Sequence, residues 1–282
     1  MVVESDTKIA ERILQGIHLP PCPAVLMAVM KEVRSPNADP GRIANLIRED
    51  AGLSAPMLKL ANSPYFGLRN KVSTVQQAVT VLGLKNAVNL LTNVALRANV
   101  VPNLPGMDKF WDRSGMVAMA ASIIARDVPG LSSEDAYTIG LFHDCGIPVL
   151  MQKYPDYPKN VEGLLVNGGN RCIAENACYS TTHAVVGNLL ARSWLLPANM
   201  CKAILWHHDT SIYASISDLD SIEVCNWVSI IRAADSLVDT HLNLRNDSWL
   251  KWEPFVLKHL QISRQEFDEM RSDVITALRG GE

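Results

Sequence analysis

His143 and Asp144 stand side by side, and potential metal ligands follow them in a fixed order: His183, the doublet His207-His208, then Asp235. Neutral imidazole and carboxylate are the donors that hold a hydrolytic divalent cation while leaving positions open for water or phosphate. An adjacent pair can direct a nitrogen and an oxygen at one ion only where the chain turns sharply or a helix ends. Gly140-Leu141-Phe142-His143-Asp144-Cys145-Gly146 reads as such a place, apolar before the pair and glycine after it. Asp235 lies in Ile230-Ile231-Arg232-Ala233-Ala234-Asp235-Ser236-Leu237, an apolar run in which a buried carboxylate requires a cation, either a metal or an arginine. The same holds for Asp144. Any one histidine on an apolar helix is more often a hydrogen-bonded core residue than a ligand. Two buried acids and four histidines in one fold are not explained that way.

The elements that must position these residues read as helical almost throughout, with no run of strict apolar-polar alternation, so the expected fold class is all-α. Pro20-Pro21-Cys22-Pro23 is a stiff entry to a helix with Val25, Leu26, Val29, Met30 and Val33 on one face. Asp39-Pro40 starts the next, proline in the first turn losing nothing by its missing N–H. Ser54-Ala55-Pro56 is expected to restart a helix that Ala61-Asn62-Ser63-Pro64 ends. Ser73 or Thr74 caps another, with Gln76 and Gln77 as partners, and Gly83 stops it. Leu84 to Ala98 follows; with only Lys85 and Arg97 as cations it makes a poor DNA-reading helix. Val100 to Met107 is the candidate linker, with a helix over Phe110 to Arg126 after it. Ser132 or Ser133 caps the helix delivering His143-Asp144. Tyr154 to Pro158 reads as a loop and Asn167 to Asn170 as a turn. Ser180 or Thr181 caps the His183 helix, Leu196-Pro197 precedes the helix leading to His207-His208, and Ile222 to Val238 is a long helix with Asp235 near its end. Trp249 to Leu278 is an amphipathic appendage. The expected division is an N-terminal helical subdomain over 1–104, a second helical subdomain over 105–245 and the appendage over 246–282.

Composition narrows the function classes. At 282 residues, 48% hydrophobic and 20% charged, the chain has material for a large core. A net charge of -3 gives no basic field for nucleic acid or anionic membrane. Met1 to Asp6 is acidic and polar, unlike a secretory leader, and no apolar run approaches the ~18 residues of a membrane span. Six scattered cysteines without a Cys-x-x-Cys pair read as reduced thiols, and the expectation is a soluble, cytoplasmic protein.

The order His-Asp, His, His-His, Asp on a helical scaffold resembles the HD superfamily of metal-dependent phosphohydrolases, and more specifically the HDOD (HD-related output domain) proteins of bacterial signalling. Leu19-Pro20-Pro21-Cys22-Pro23, Ile43-Ala44-Asn45-Leu46-Ile47, Leu60-Ala61-Asn62-Ser63, Ala78-Val79-Thr80-Val81-Leu82-Gly83, Phe110-Trp111-Asp112-Arg113-Ser114 and Gly140-Leu141-Phe142-His143-Asp144 carry the likeness, over roughly residues 15 to 240. In metal-binding members a further histidine precedes the serine of the Trp-x-x-Ser segment; here that position is Arg113. The resemblance implies that this histidine, His143, Asp144 and Asp235 would hold a first ion. It implies a second at His183, His207 and His208 with Asp144 bridging. Arginine stays protonated and offers no lone pair, so Arg113 either neutralises Asp144 or Asp235 by bidentate pairing or clamps a phosphate. The cofactor implied is one divalent cation (Fe, Mn, Mg, Zn and Ni suit the donors alike), or none if the arginine disables the site.

Two functions follow from the resemblance. In the leading one the chain is a regulatory output module with a degenerate site that binds partner signalling proteins or a nucleotide-like small ligand. In the other, the remaining ion drives hydrolysis of a nucleotide or cyclic-nucleotide phosphodiester. The cyclic-dinucleotide hydrolases of the superfamily carry Gly-Tyr-Pro after the His-Asp pair, where this chain has Asp156-Tyr157-Pro158. Active members often have lysine where it has Ile147.

Overall fold

A computed structural model describes residues 16–62, 68–100, 106–162, 170–244 and 248–279. Among these residues there are fourteen α-helices and no strand. Five come first: α1 (Ala24–Val33), α2 (Pro40–Arg48), α3 (Ala51–Ala61), α4 (Val75–Leu82) and α5 (Leu84–Asn99). Then come α6 (Met107–Arg126), α7 (Ser133–Phe142), α8 (Gly146–Lys153), a π-helical turn (Pro158–Glu162), α9 (Arg171–Tyr179), α10 (His183–Ser193) and α11 (Ala198–Trp206). A 3₁₀ turn (Thr210–Ala214) leads to α12 (Leu219–His241), α13 (Trp249–Leu260) and α14 (Arg264–Arg279). No described helix is long and apolar enough to cross a membrane.

The helix starts follow from side chains that accept the otherwise unpaired first N–H groups. Asp39 caps α2 with Pro40 at its first position, Thr74 caps α4 while Gln77 bonds back to Ser73, and Ser132 caps α7. Gly83, at φ 78°, ends α4 in a conformation that a residue with a Cβ rarely adopts. Helix α6 starts three residues before the expected Phe110, and α12 runs three residues further at each end than Ile222 to Val238; four other boundaries differ in kind. The α3 helix begins at Ala51, because Asp50 caps it, and Pro56 sits inside it, where its missing N–H removes one backbone bond. The α10 cap is Thr182, since Ser180 turns left-handed to close α9. Pro158 opens the π-helical turn instead of closing a loop. The C-terminal appendage is two helices, separated at Gln261, which is left-handed at φ 56°. The expected features at Ser63-Pro64, 101–105 and 167–169 lie outside the described residues. So does each junction of the proposed three-part division.

The helices α6 and α7 pack along most of their length, α12 crosses α6, and α10 packs on α8 and α11. The first five helices form a layer of their own that reaches this bundle mainly through α5 on α7. Central to everything is α12, buried without interruption from Trp227 to Val238. A helix apolar and buried all round belongs in a core, so its charged residues must be paired there.

Two glycines let helices approach closely enough to form the site. A Cβ on Gly140 would lie 2.8 Å from the Cα of Ala118 in α6. One on Gly146 would meet the carbonyl oxygen of His183 and stand 2.7 Å from the Gly187 nitrogen. The start of α8 therefore rests directly on the first turn of α10, which brings His183 to Asp144. Gly146→Ala is expected to destabilise the fold by about 1–3 kcal/mol through overpacking. Gly115→Ala in α6, whose Cβ would meet its nearest neighbours at 3.6 and 3.7 Å, is expected to be neutral or to stabilise by up to about 1 kcal/mol. Paired urea unfolding curves separate the two outcomes.

Candidate metal centre

The four histidines and two acids expected to assemble do so, in two halves that share Asp144. Helix α7 ends at Phe142, and the chain turns through His143, Asp144 and Cys145 into α8. His143 Nδ1 lies 2.7 Å from the Gly140 carbonyl, and His207, just past the end of α11, has its Nδ1 2.6 Å from the Ile204 carbonyl. His183, the first residue of α10, places Nδ1 2.7 Å from Glu175. Carbonyl and carboxylate oxygens only accept, so each of these rings carries a hydrogen on Nδ1 and turns Nε2 toward the acids.

Asp144 divides its oxygens between the halves. Oδ1 lies 3.3 Å from His183 Nε2 and 3.6 Å from His207 Nε2. Oδ2 lies 3.1 Å from His143 Nε2 and 3.7 Å from the Arg113 guanidinium. His208 Nε2 stands 3.0 Å from His183 Nε2. Ligand atoms of Asp144, His183, His207 and His208 all fall within 4.8 Å of one another, the spread expected of donors around one ion. His143 and Asp235 stand outside this group and face Arg113; His143 Nε2 is 3.4 Å from Asp235. A second cluster of Cys172, Glu175 and His183 shares His183, whose Nδ1 is already engaged by Glu175.

Arg113 holds the other half. One terminal nitrogen lies 2.9 Å from Asp235 and 2.6 Å from Asp239, so the guanidinium bridges two acids on α12. The expected bidentate fork onto a single carboxylate does not form, because Asp239, one turn beyond Asp235, takes a share of the charge. Arg232 approaches the second Asp235 oxygen at 3.0 Å. The cation that Asp235 requires is thus two arginines.

The electrostatics describe a pocket that draws positive charge. Burial opposes ionisation of Asp144, yet the charge on His143 and the close approach of the His143, His183 and His207 rings hold it well below the usual carboxylate range. Asp235 is likewise low despite burial, mainly through Arg113 and then His143. Burial works against a charge on His143, but Asp144 and Asp235 raise it to about 10. His183 is also held high against burial, by Asp144, Cys172 and Glu175. Burial lowers His207 and His208, and neighbouring imidazoles push them further down. The four rings cannot all take protons. On the His183, His207, His208 and Asp144 side, the buried His207 Nε2 has no hydrogen-bond partner and stands 3.6 Å from Asp144 Oδ1. An orphaned lone pair there, beside an ionised carboxylate, fits one divalent cation.

Four participants were not anticipated. Asp239 was signalled by its i+4 spacing from Asp235, which puts both on one face of α12. Arg232 was visible in the same apolar run. Glu175 and Tyr157 gave no local signal, because Glu175 reaches His183, and Tyr157 reaches Glu175, across turns from separate elements.

Removing Arg113 leaves Asp235 with Arg232 as its remaining guanidinium partner and takes from Asp239 its own. Arg113→Ala is expected to cost on the order of 3 kcal/mol near neutral pH. Asp235 sits below its ordinary value in the folded protein, so the stability it confers is full above about pH 4 and is lost as acid protonates it. The difference between variant and wild type therefore stays nearly constant from about pH 7 to about pH 4 and shrinks only below that, which denaturant unfolding at about pH 7 and about pH 2.5 would measure.

Comparison with known proteins agrees with this architecture. An HDOD domain protein of unknown function from Geobacter sulfurreducens superposes with a TM-score of 0.74 at 22% identity, covering 99% of each chain. A provisionally named phosphohydrolase from Shewanella amazonensis SB2B gives 0.74 at 21% identity, covering 95% of each chain. A provisionally named signal transduction protein from Marinobacter aquaeolei VT8 gives 0.72 at 23% identity, covering 95% of this chain and 61% of that one. At these identities the likeness is one of fold. A curated relative, an uncharacterised protein of Treponema pallidum (strain Nichols), is 27% identical over 208 residues; this chain spans 40% of its length. The HDOD domain profile matches residues 19–210, more than half of the sequence, and the chain belongs to the HDOD domain family.

Proposed function

We propose that this protein is a regulatory module of bacterial signal transduction whose site binds one divalent cation and whose second cation position is filled permanently by Arg113. The observation that carries this reading is the Arg113 guanidinium, shared between Asp235 and Asp239 and 3.7 Å from Asp144. A charge fixed on a helix cannot leave, exchange or release a product, so the paired-cation chemistry of in-line phosphoryl displacement has no place on that side. The partners would be signalling proteins or a nucleotide-like small ligand, and the setting cytoplasmic. The neighbour from Marinobacter aquaeolei carries a signalling name, which accords with this reading.

A single-ion phosphohydrolase is the second reading, favoured by the three inward-facing Nε2 atoms around Asp144 Oδ1 and by the phosphohydrolase name of one Shewanella neighbour. Bound there, a divalent cation would supply Lewis acidity toward a phosphoryl oxygen. His183, His207 and His208 would hold it by Nε2, with Asp144 balancing its charge. Arg113 contributes less as a phosphate clamp than its position suggests, because one of its terminal nitrogens already serves two carboxylates.

Protein purified without chelator is expected to carry about one divalent ion per chain by elemental analysis. Arg113→His is expected to raise that content, since it returns an imidazole to His143, Asp144 and Asp235. Wild-type protein free of metal in every preparation would remove the cation reading. Unchanged metal in Arg113→His would show that Arg113 does not occupy a cation position. Hydrolysis of generic phosphodiesters by the wild type would favour the second function over the first.

A further inference from the structure

His143 and His207 obtain their tautomer from the helices they terminate. In each case the Nδ1 partner is the carbonyl three residues earlier, at Gly140 and at Ile204, and that carbonyl is present whatever the side chain. His183 cannot do this, because it is the first residue of α10 and no helical turn precedes it. Its orientation must come from side chains elsewhere.

Those side chains are Glu175 in α9 and Tyr157 before the π-helical turn. Glu175 is fully buried, and its Oε2 accepts both the His183 backbone N–H, at 2.8 Å, and Nδ1, at 2.7 Å. Its Oε1 accepts the hydroxyl hydrogen of Tyr157, itself fully buried. The Tyr157 oxygen in turn stands 3.4 Å from an Arg171 guanidinium nitrogen. Burial opposes a charge on Glu175, yet hydrogen bonds from His183 and Tyr157 keep it below its ordinary value. A carboxylate with both oxygens engaged by donors from two other elements cannot rotate away.

We infer that Glu175 is the positioning residue that makes His183 a cation ligand, and that Tyr157 holds Glu175 in place. Cation affinity is then set partly by the segment after the His-Asp pair. This rests on the single-cation reading above. A carboxylate behind a ligating imidazole fixes its orientation and raises its basicity, and losing such a partner generally costs 10–100-fold in metal affinity. The Asp156-Tyr157-Pro158 sequence thereby acquires a role distinct from ligand contact: its tyrosine orients the site from behind.

The test uses Glu175→Gln and Tyr157→Phe in the full chain. Each is titrated with Mn²⁺ or Zn²⁺ alone, with the melting temperature recorded in chelator. Glu175→Gln is expected to bind about 10–100-fold more weakly, and Tyr157→Phe to move the same way by less. The His183 side-chain ¹⁵N spectrum in chelator is expected to show a strongly hydrogen-bonded Nδ1–H that weakens in Glu175→Gln. That signal reports ring orientation and would not move for a merely structural residue. A loss in Glu175→Gln of less than about fivefold, or an unchanged His183 spectrum, overturns the inference. Should Glu175→Gln not fold, Tyr157→Phe with wild-type affinity and an unchanged His183 spectrum overturns it instead. If the wild type binds neither cation, the reading in the preceding section fails, while the chelator spectrum still decides whether Glu175 orients His183.

Discussion

Three carboxylates stand close together in the interior of this protein, and the way each is neutralised determines the rest of the structure. Asp144 spans the boundary, one oxygen toward imidazoles that can share an ion and the other toward a guanidinium that cannot leave. Asp235 lies between two arginines from different helices. Glu175 is satisfied by a histidine and a tyrosine. Unpaired, each would cost several kcal/mol on burial, so the helices are held in register as much by charge pairing as by apolar contact. Such an arrangement is demanding: displacing a donor leaves a charge poorly compensated in the low-dielectric interior.

Close helix approach is what makes the pairing possible. Gly140 lets α7 rest against the backbone of α6, the helix that carries Arg113. Gly146 lets α8 rest against the backbone of α10, the helix that begins with His183. Both glycines flank the His143-Asp144 turn. The pair is thus fixed from both sides by contacts that admit no side chain, and small displacements of either helix would be felt directly at Asp144.

The parts of this design legible in the sequence were those written locally. Caps at Asp39, Thr74 and Ser132, the stop at Gly83 and the turn at His143-Asp144 each depend on residues within a few positions of one another. The need of Asp235 for a cation followed from its apolar surroundings alone. What stayed hidden was non-local. Glu175 reads as an ordinary helix residue until the fold sets it beside His183, eight positions on. The cap at Thr182 was displaced from Ser180 or Thr181 because Ser180 is occupied in ending the previous helix. Arg113 lies among the acids, but Asp239 changes its geometry from the expected fork on one carboxylate to a bridge over two.

The long helix α12 lies wholly beyond the stretch that matches the family profile, which ends at residue 210, and it carries Asp235, Asp239 and Arg232. Arg232 also extends beyond the site: one nitrogen lies 3.1 Å from the Ser248 hydroxyl, and the guanidinium sits 5.1 Å from the Trp252 ring centre in α13. A fragment trimmed to the matched stretch would therefore lose the two α12 acids that balance Arg113. One trimmed after α12 would strip the aromatic cover from a buried cation. The C-terminal helices are in this sense a lining of the charged interior, and the smallest self-sufficient folding unit is larger than the stretch by which its family is recognised.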